Sequence, residues 1–461
     1  MKLRKIIKMA KKKDKYIDII EEEEQHSDVV QEPQYDLFFN NGEEERHEEG
    51  TLRVLSLFSG CGGMDIGLEG GFICHSNSVV NPNWIHHAIN NSWSLLNRNK
   101  FRTVFACDIL DDARETWLRY MNRFNVNPDI YHLNSIVDLV KMHREGHNVF
   151  PHNVDIVTGG FPCQDFSVAG KRKGFNSSIS HNGEKRTENE PTEETRGKLY
   201  MWMKQVIDIV QPKMFIAENV KGLVSLGDVK EIIQHDFSTA NGNDYIVLDP
   251  QVLHAGNYGV PETRERVIFI GIKRSELKEE ARIALEASII PEQYDPYPTP
   301  THNFNIHIQG LANPVTCRDV LGDLPEPENS ADLSHQSFSG AQYLANGSQG
   351  QTEINMDGLG PTIRSEHHGN IEFRRLSIEH GGRNTEEINR GLQERRLTPR
   401  ECALIQTFPP DYQFVFHKPY SKRYAVSPSG AYKVIGNAVP PMLAYNIARR
   451  IQDVWPLYFN R

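Results

Sequence analysis

The chain has 461 residues, of which 38% are apolar, so it can bury a large core and divide into a large and a smaller domain. Its six cysteines (Cys61, Cys74, Cys107, Cys163, Cys317 and Cys402) contain no Cys-x-x-Cys pair, which argues against both a zinc site and a disulfide framework. No apolar run approaches the roughly 20 residues of a membrane helix, and the N-terminus is too charged for a secretory signal. A cytoplasmic protein without a membrane partner is expected.

The formal net charge is −10, and residues 1–50 carry half of it, with 9 Lys/Arg against 14 Asp/Glu. That stretch runs from basic (Lys11-Lys12-Lys13) to acidic (Glu21 to Glu24, then Glu43-Glu44-Glu45) with few apolar residues, and is predicted to be a disordered tail. Beyond it, small basic clusters recur at Lys171-Arg172-Lys173, Arg264 with Arg266, Arg374-Arg375, Arg395-Arg396 and Arg449-Arg450. Each reads as a solvated face or a phosphate contact. Charge permits a nucleic-acid partner without demonstrating one.

The folded part is predicted to start with an apolar strand over 52–58, which breaks at Ser59-Gly60-Cys61-Gly62-Gly63 before a helix over 64–70. Such a junction is either a tight strand-to-helix turn or a loop whose bare backbone approaches a nucleoside ligand. Extra helix is expected around Trp84 to Leu96. A second strand, 103–107, ends at Asp108, placed either to cap the helix over 109–122 or to accept hydrogen bonds from ribose hydroxyls.

Val154 to Thr158 forms the next apolar run and delivers Gly159-Gly160-Phe161-Pro162-Cys163-Gln164 onto the loop at its carboxyl end. Between Ser177 and Glu194 the chain is polar and reads as a mobile loop. Leu199, Met203, Val206 and Val210 then keep helical spacing, and Phe215 to Val220 repeats the strand pattern with Glu218 near its tip. A nucleophile and an acid on two strand ends, downstream of a glycine loop, form an active-site pattern.

Asp244 to Leu248 and Gln251 to Ala255 read as a hairpin pair. Arg264 and Arg266 stand at i and i+2 of an extended segment entering the strand 266–271, so they point the same way and could grip polar groups together. From about 273 to 360 prolines cluster and periodicity fades. Helical order returns at Thr398-Pro399-Arg400-Glu401, a capping box. Gly436-Asn437-Ala438-Val439 precedes a last helix with Leu443, Ile447 and Ile451 on one face, and Asn437 is either its entry cap or a contact across a domain boundary.

Together these segments resemble the cytosine 5-methyltransferases of DNA, from about Leu52 to Arg450. Phe58-Ser59-Gly60-Cys61-Gly62-Gly63 is similar to that family's S-adenosylmethionine loop, and Gly160-Phe161-Pro162-Cys163-Gln164 to its nucleophile motif. Glu218-Asn219-Val220 is similar to its base-binding acid motif, and Arg264-Glu265-Arg266 to its paired arginines. Arg396 to Glu401 and Gly436 to Val439 match its two closing motifs. Two departures stand out. Glu262 occupies a position where the family usually has Gln, and the family's Gly-Asp-Ile element has only Leu133-Asn134-Ser135-Ile136 as its nearest counterpart.

The resemblance implies a doubly wound, Rossmann-like α/β domain with a smaller loop-rich target-recognition domain. The expected boundaries are a charged tail at 1–50, a catalytic and cofactor-binding domain at 51–272, target recognition at 273–394, and a C-terminal segment at 395–461 returning to the catalytic domain. It implies S-adenosylmethionine as methyl donor, held by Phe58, Gly60, Gly62, Gly63, Asp108 and Asn437, and no metal. Cys163 would attack carbon 6 of cytosine, making carbon 5 enamine-like. Glu218 would contact nitrogen 3 and the exocyclic amine, with Arg266 and Arg264 holding the carbonyl and orienting the acid. The cytosine must leave the stack to reach Cys163, and the polar loop after Lys171 is the candidate to close over the DNA. Gln164 and Ser167 read equally as loop hydrogen-bonding residues.

The expected partners are double-stranded DNA and, for the modification half of a restriction-modification system, a cognate endonuclease. The enzyme itself is expected to be a monomer, drawn to the nucleoid only through DNA. Two rival readings are a tRNA cytosine methyltransferase using the same residues and a non-catalytic DNA-binding regulator that keeps the cofactor pocket. The intact Cys163, Glu218 and arginine pair argue against the regulator.

Overall fold

Residues of alternating direction build the centre of the molecule. In β1 (Leu52–Leu57), Val54 enters one apolar cluster while Leu55 and Leu57 enter another on the opposite face. The same division holds farther along: Met214 and Ile216 face one way and Phe215 and Ala217 the other. A sheet buried on both faces needs strands that are apolar on both sides, and these are. The computed structural model describes residues 50–162, 199–225, 227–345, 349–365 and 371–460. The expected charged tail, Cys163, Gln164, Ser167 and the polar stretch 177–194 lie outside the described residues.

The remaining strands of this part are β2 (Ile73–His75), β3 (Ile85–Ala88), β4 (Trp93–Leu96), β5 (Phe101–Cys107), β6 (Tyr131–His132), β7 (Ile156–Gly160), β8 (Met214–Val220), β9 (Tyr245–Val247), β10 (Gln251–His254) and β11 (Glu265–Lys273). The main sheet runs β10-β11-β8-β7-β1-β5-β6, with β9 also on β11. Strands β6, β5, β1, β7 and β8 are mutually parallel, and β11 is antiparallel to β8. The chain leaves β1 toward β5 and β6 and returns on its other side at β7. Strand order therefore reverses at β1, and the crevice beyond the carboxyl ends of β1 and β7 is where such sheets bind ligands.

Helices α1 (Gly63–Glu69) and α2 (Asp111–Met121) supply Ile66, Leu68 and Trp117 to one cluster. Helices α3 (Ile136–Arg144), α4 (Leu199–Val210) and α5 (Val229–Ser238) supply Leu139, Met203 and Phe237 to the other. Near the C-terminus come α6 (Pro399–Ile405), α7 (Pro428–Asn437) and α8 (Pro441–Tyr458). Helix α6 opens with the expected capping box, Thr398 accepting from the Glu401 amide and Glu401 from the Thr398 amide. Leu443, Ile447 and Ile451 of α8 are buried as their spacing predicts.

Three local expectations are corrected. Beyond a 3-10 turn that ends at Trp84, the stretch to Leu96 is not helical: β2, β4 and β3 form a small antiparallel sheet. The reason is the turn chemistry between β3 and β4, where Asn90 Oδ1 accepts from the amides of Ser92 (2.8 Å) and Trp93 (2.9 Å) and closes a hairpin. Strands β9 and β10 do not pair with each other. Both run along the same free edge of β11 as one interrupted edge strand, broken where Pro250 has no amide to donate.

The third correction concerns charge. Arg374-Arg375 lies on β12 (Phe373–Arg375) and Arg395-Arg396 on β13 (Arg395–Arg396), paired antiparallel and buried. Arg374 donates to Glu387 Oε1 at 2.6 Å and Arg375 to Glu387 Oε2 at 2.7 Å. Arg375 and Arg395 both reach Glu326, and Arg395 grips Glu401 with two bonds of 2.8 and 3.0 Å. Arg396 donates to the carbonyls of Ala341 and Gly350. These side chains form a structural network rather than a solvated face or a phosphate contact.

Candidate active site

The glycine loop is fixed from several sides at the carboxyl tips of β1 and β5. Ser59 exchanges hydrogen bonds with Cys107, its amide donating at 2.9 Å and its Oγ accepting at 3.1 Å. Tyr131 donates to the Gly60 carbonyl (3.0 Å) and Tyr412 to the Cys61 carbonyl (2.8 Å). Gly62 has φ +80°, and a Cβ there would lie 2.6 Å from the Trp117 ring, so only glycine serves. Phe58 is itself left-handed, at φ +53°, the kind of backbone strain that clusters at binding sites. Beneath the loop, buried Asp65 accepts from Ser56 Oγ and Trp117 Nε1, both at 2.7 Å. Burial pushes its carboxyl up to about 6.

Asp108 directly follows β5 with its carboxylate turned back on the loop, Oδ2 accepting from the Gly60 amide and Oδ1 from the Leu110 amide, both at 3.0 Å. The N-cap residue of α2 is Leu110, so Asp108 is not the cap. Burial raises its pKa, opposed by those amide bonds.

Glu218 lies near the tip of β8, directly opposite Gly160 in the parallel ladder. A Cβ at Gly160 would sit 2.8 Å from Glu218 Oε2, so the glycine makes room for the carboxylate. Arg266 Nε meets Glu218 Oε1 at 2.5 Å. Burial nevertheless pushes the Glu218 carboxyl above its ordinary range, and the nearby Arg266 and Arg264 offset this only in part. Its neighbour Asn219 is buried and donates to the Phe161 carbonyl at 3.0 Å, pinning the backbone two residues before Cys163.

The two arginines do not act as a matched pair. Arg266 belongs to β11 and turns to Glu218. Arg264, fully buried, donates to the carbonyls of Ile363 (2.9 Å), Gly436 (2.9 Å) and Ala438 (2.7 Å). It clamps residues 360–365 against the end of α7. Glu262 completes that clamp, accepting from the Ile363 amide at 2.6 Å and lying 3.6 Å from Arg264 Nη1.

A cavity of about 570 Å³ joins these groups. Its walls include Phe58, Gly60, Gly63 and Asp108 at one end, Glu218, Arg264 and Arg266 at the other, and Asn437 between the closing elements. Asn437 ends α7 and is exposed, so it does not cap α8. Gly62 supports the loop from behind rather than lining the space. Pro162 reaches the wall, and Cys163 follows it outside the described residues. Two contributors went unread in the sequence: Lys433, and the segment Thr362 to Ser365, which carries no local signal.

The family of C-5 cytosine-specific DNA methylases matches residues 52–453. Among individual relatives, the Type II methyltransferase M.BsuRI of Bacillus subtilis is 29% identical over 416 residues, covering 88% of this chain and 80% of that one. M.BspRI of Lysinibacillus sphaericus is 28% identical over 430 residues, covering 89% and 84%. M.NgoFVII of Neisseria gonorrhoeae is 27% identical over 412 residues, covering 87% of each. With a family match spanning nearly all of the described fold and a cavity that joins a glycine loop to a buried acid and arginine, the chain belongs to the C-5 cytosine-specific DNA methylases.

Proposed function

We propose that this cavity receives a single cytosine turned out of duplex DNA and that Cys163, Glu218 and Arg266 carry its methylation at carbon 5. The observation that carries this assignment is the Glu218–Arg266 contact of 2.5 Å, held across the cavity from the glycine loop. The Cys163 thiolate adds to carbon 6, which moves electron density to carbon 5. Glu218, favoured in its protonated form by burial, donates to nitrogen 3 as the thiolate adds. Arg266 fixes the orientation of that acid. After carbon 5 is methylated, a base takes its proton and the sulfur–carbon bond breaks. Arg264 acts one step away, as the clamp on the cavity wall.

The chain's own residues fit S-adenosylmethionine, which when bound supplies the methyl group. Asp108 offers acceptors to ribose hydroxyls, the loop from Phe58 to Gly63 offers close backbone approach, and Asn437 lines the space between. Thr158 Oγ1 is buried on the same wall without a hydrogen-bond partner among the described residues, an open valence for a ligand to fill.

Residues 273–394 are assigned to target recognition, and the reach of residues 362–365 into the cavity supports a link from that region to the chemistry. The relatives' names support placing the enzyme in a Type II restriction-modification system beside an endonuclease cutting the same site. The test is incubation with radiolabelled S-adenosylmethionine and duplex DNA, with structured RNA in parallel, followed by base-resolution mapping of 5-methylcytosine. Label at one short DNA motif is expected. Label on RNA alone, or on neither substrate, overturns the assignment.

A further inference from the structure

We infer that Arg364 binds a phosphate of the DNA strand bearing the target cytosine, beside the turned-out nucleotide. This rests on the reading that the cavity takes such a base. Among the described residues four cations line the cavity: Arg264, Arg266, Arg364 and Lys433. Arg264 is committed to three main-chain carbonyls and Arg266 to Glu218. Lys433 sits at the cofactor end, where its charge acts on Asp108 and Asp112. Arg364 is different. Its Nη1 is buried without a hydrogen-bond partner among the described residues, and its ion pair with Glu372 is long, 3.5 Å from Nη2.

A buried guanidinium nitrogen with nothing to donate to is costly, and such groups in native folds point to a missing partner. Here the missing partner is an anion. The side chain is 26% exposed, so it is partly open at the cavity wall although Nη1 itself is covered. Its backbone is held rigidly, because the Ile363 amide is bound by Glu262, the Ile363 carbonyl by Arg264, and Thr362 Oγ1 donates to the Thr263 carbonyl at 2.8 Å. A planar donor on a fixed strap suits a phosphate oxygen pair. The strap is stitched to the segment that enters β11, the strand of Arg266, so a phosphate gripped there lies on the base-handling side of the cavity. The other anion available, the cofactor's carboxylate, would belong to the glycine-loop end.

The test combines Arg364→Gln and Arg364→Lys with duplexes carrying a single neutral methylphosphonate at each phosphate flanking the target cytosine in turn. Arg364→Gln is expected to weaken DNA binding about tenfold and to lower the slope of log K against log salt by about 0.9. Arg364→Lys should keep the slope. One methylphosphonate position should weaken the wild-type protein while leaving Arg364→Gln unaffected. A salt slope unchanged in Arg364→Gln, or equal losses for both proteins at every position, overturns the inference. So does weakened S-adenosylmethionine binding measured without DNA, which would assign Arg364 to the cofactor carboxylate. Should Arg364→Gln fail to fold, a wild-type scan in which no flanking methylphosphonate matters overturns it equally. Wild-type methylation of the same duplexes shows separately whether the underlying reading stands.

Discussion

Glu218 and Glu401 are both buried and both face arginine, yet their charge is driven in opposite directions. At Glu401 burial pushes the carboxyl up, but the two bonds from Arg395, with the nearby Arg374, outweigh it and hold the acid ionised. Glu401 Oε2 also accepts from the Thr398 amide at 2.8 Å, so both oxygens are occupied. At Glu218 burial wins. Arg266 meets one oxygen, and Oε2 accepts no hydrogen bond among the described residues. Saturated pairing makes a fixed charge that ties β12, β13 and α6 together. Incomplete pairing leaves an acid able to hold a proton and a face able to take a ligand.

The sharpest way to break this comparison is Glu218→Gln. The amide can still donate to a ring nitrogen but cannot change its protonation, and it loses the charged bond to Arg266. Turnover should fall by roughly 10²- to 10⁴-fold with the melting temperature little changed. Single-turnover methylation and calorimetry on the same preparation check it, and near wild-type turnover would remove Glu218 from the chemistry. Glu401→Gln should behave in the reverse sense. Removing one partner of a buried pair leaves Arg395 uncompensated and should cost about 3–5 kcal/mol in denaturant unfolding, while the protein that remains folded keeps its turnover.

Acidity sharpens the contrast next. Burial pushes Glu326 up, but bonds from Arg375 and Arg395 outweigh it and hold the carboxyl at about 2. A folded pKa below the unfolded one means that this stabilisation is present above the ordinary carboxylate range and is lost as pH falls toward about 2. Urea unfolding should therefore show stability dropping between about pH 5 and pH 3, and Glu326→Gln should flatten that drop. Glu218 has the opposite sign. Its raised folded pKa makes its contribution greatest in acid and lost as pH rises through that value, so kcat/KM should decline on the alkaline side. In Glu218→Gln that limb should disappear.

Local signals made the site's framework legible. β1, β5, β7 and β8 are apolar runs that end at glycine or a carboxylate, and chain order alone puts their tips on one edge. Asp108 and Glu218 could be read because each sits where its own strand stops. The Arg-Glu network could not, since Glu326 lies 69 residues from Arg395 and 49 from Arg375. Without those distant acids, two arginine pairs look like surface charge. Arg264 and Arg266 were indistinguishable for a related reason: spacing gives direction along a strand, but only the arrival of residues 360–365 and 436–438 decides which one is tied to main-chain carbonyls. Trp84 to Leu96 misled because its apolar residues suit either period, and the Asn90 turn decided between them.

The mildest test concerns space rather than charge. Gly160→Ala adds one methyl group opposite Glu218, and its position 2.8 Å from Oε2 forces the carboxylate to move. Arg266 restrains that movement through Oε1, so the acid must tilt rather than swing clear. The strand itself loses no hydrogen bond, and stability should change by less than about 1 kcal/mol. Turnover should fall about tenfold, because an acid displaced by a fraction of an ångström donates poorly. The decisive form is the double variant: in a Glu218→Gln background, Gly160→Ala should add much less to the loss than it causes alone, as coupled neighbours do. Full additivity would mean that Gly160 serves the Phe161-Pro162 backbone rather than the acid beside it.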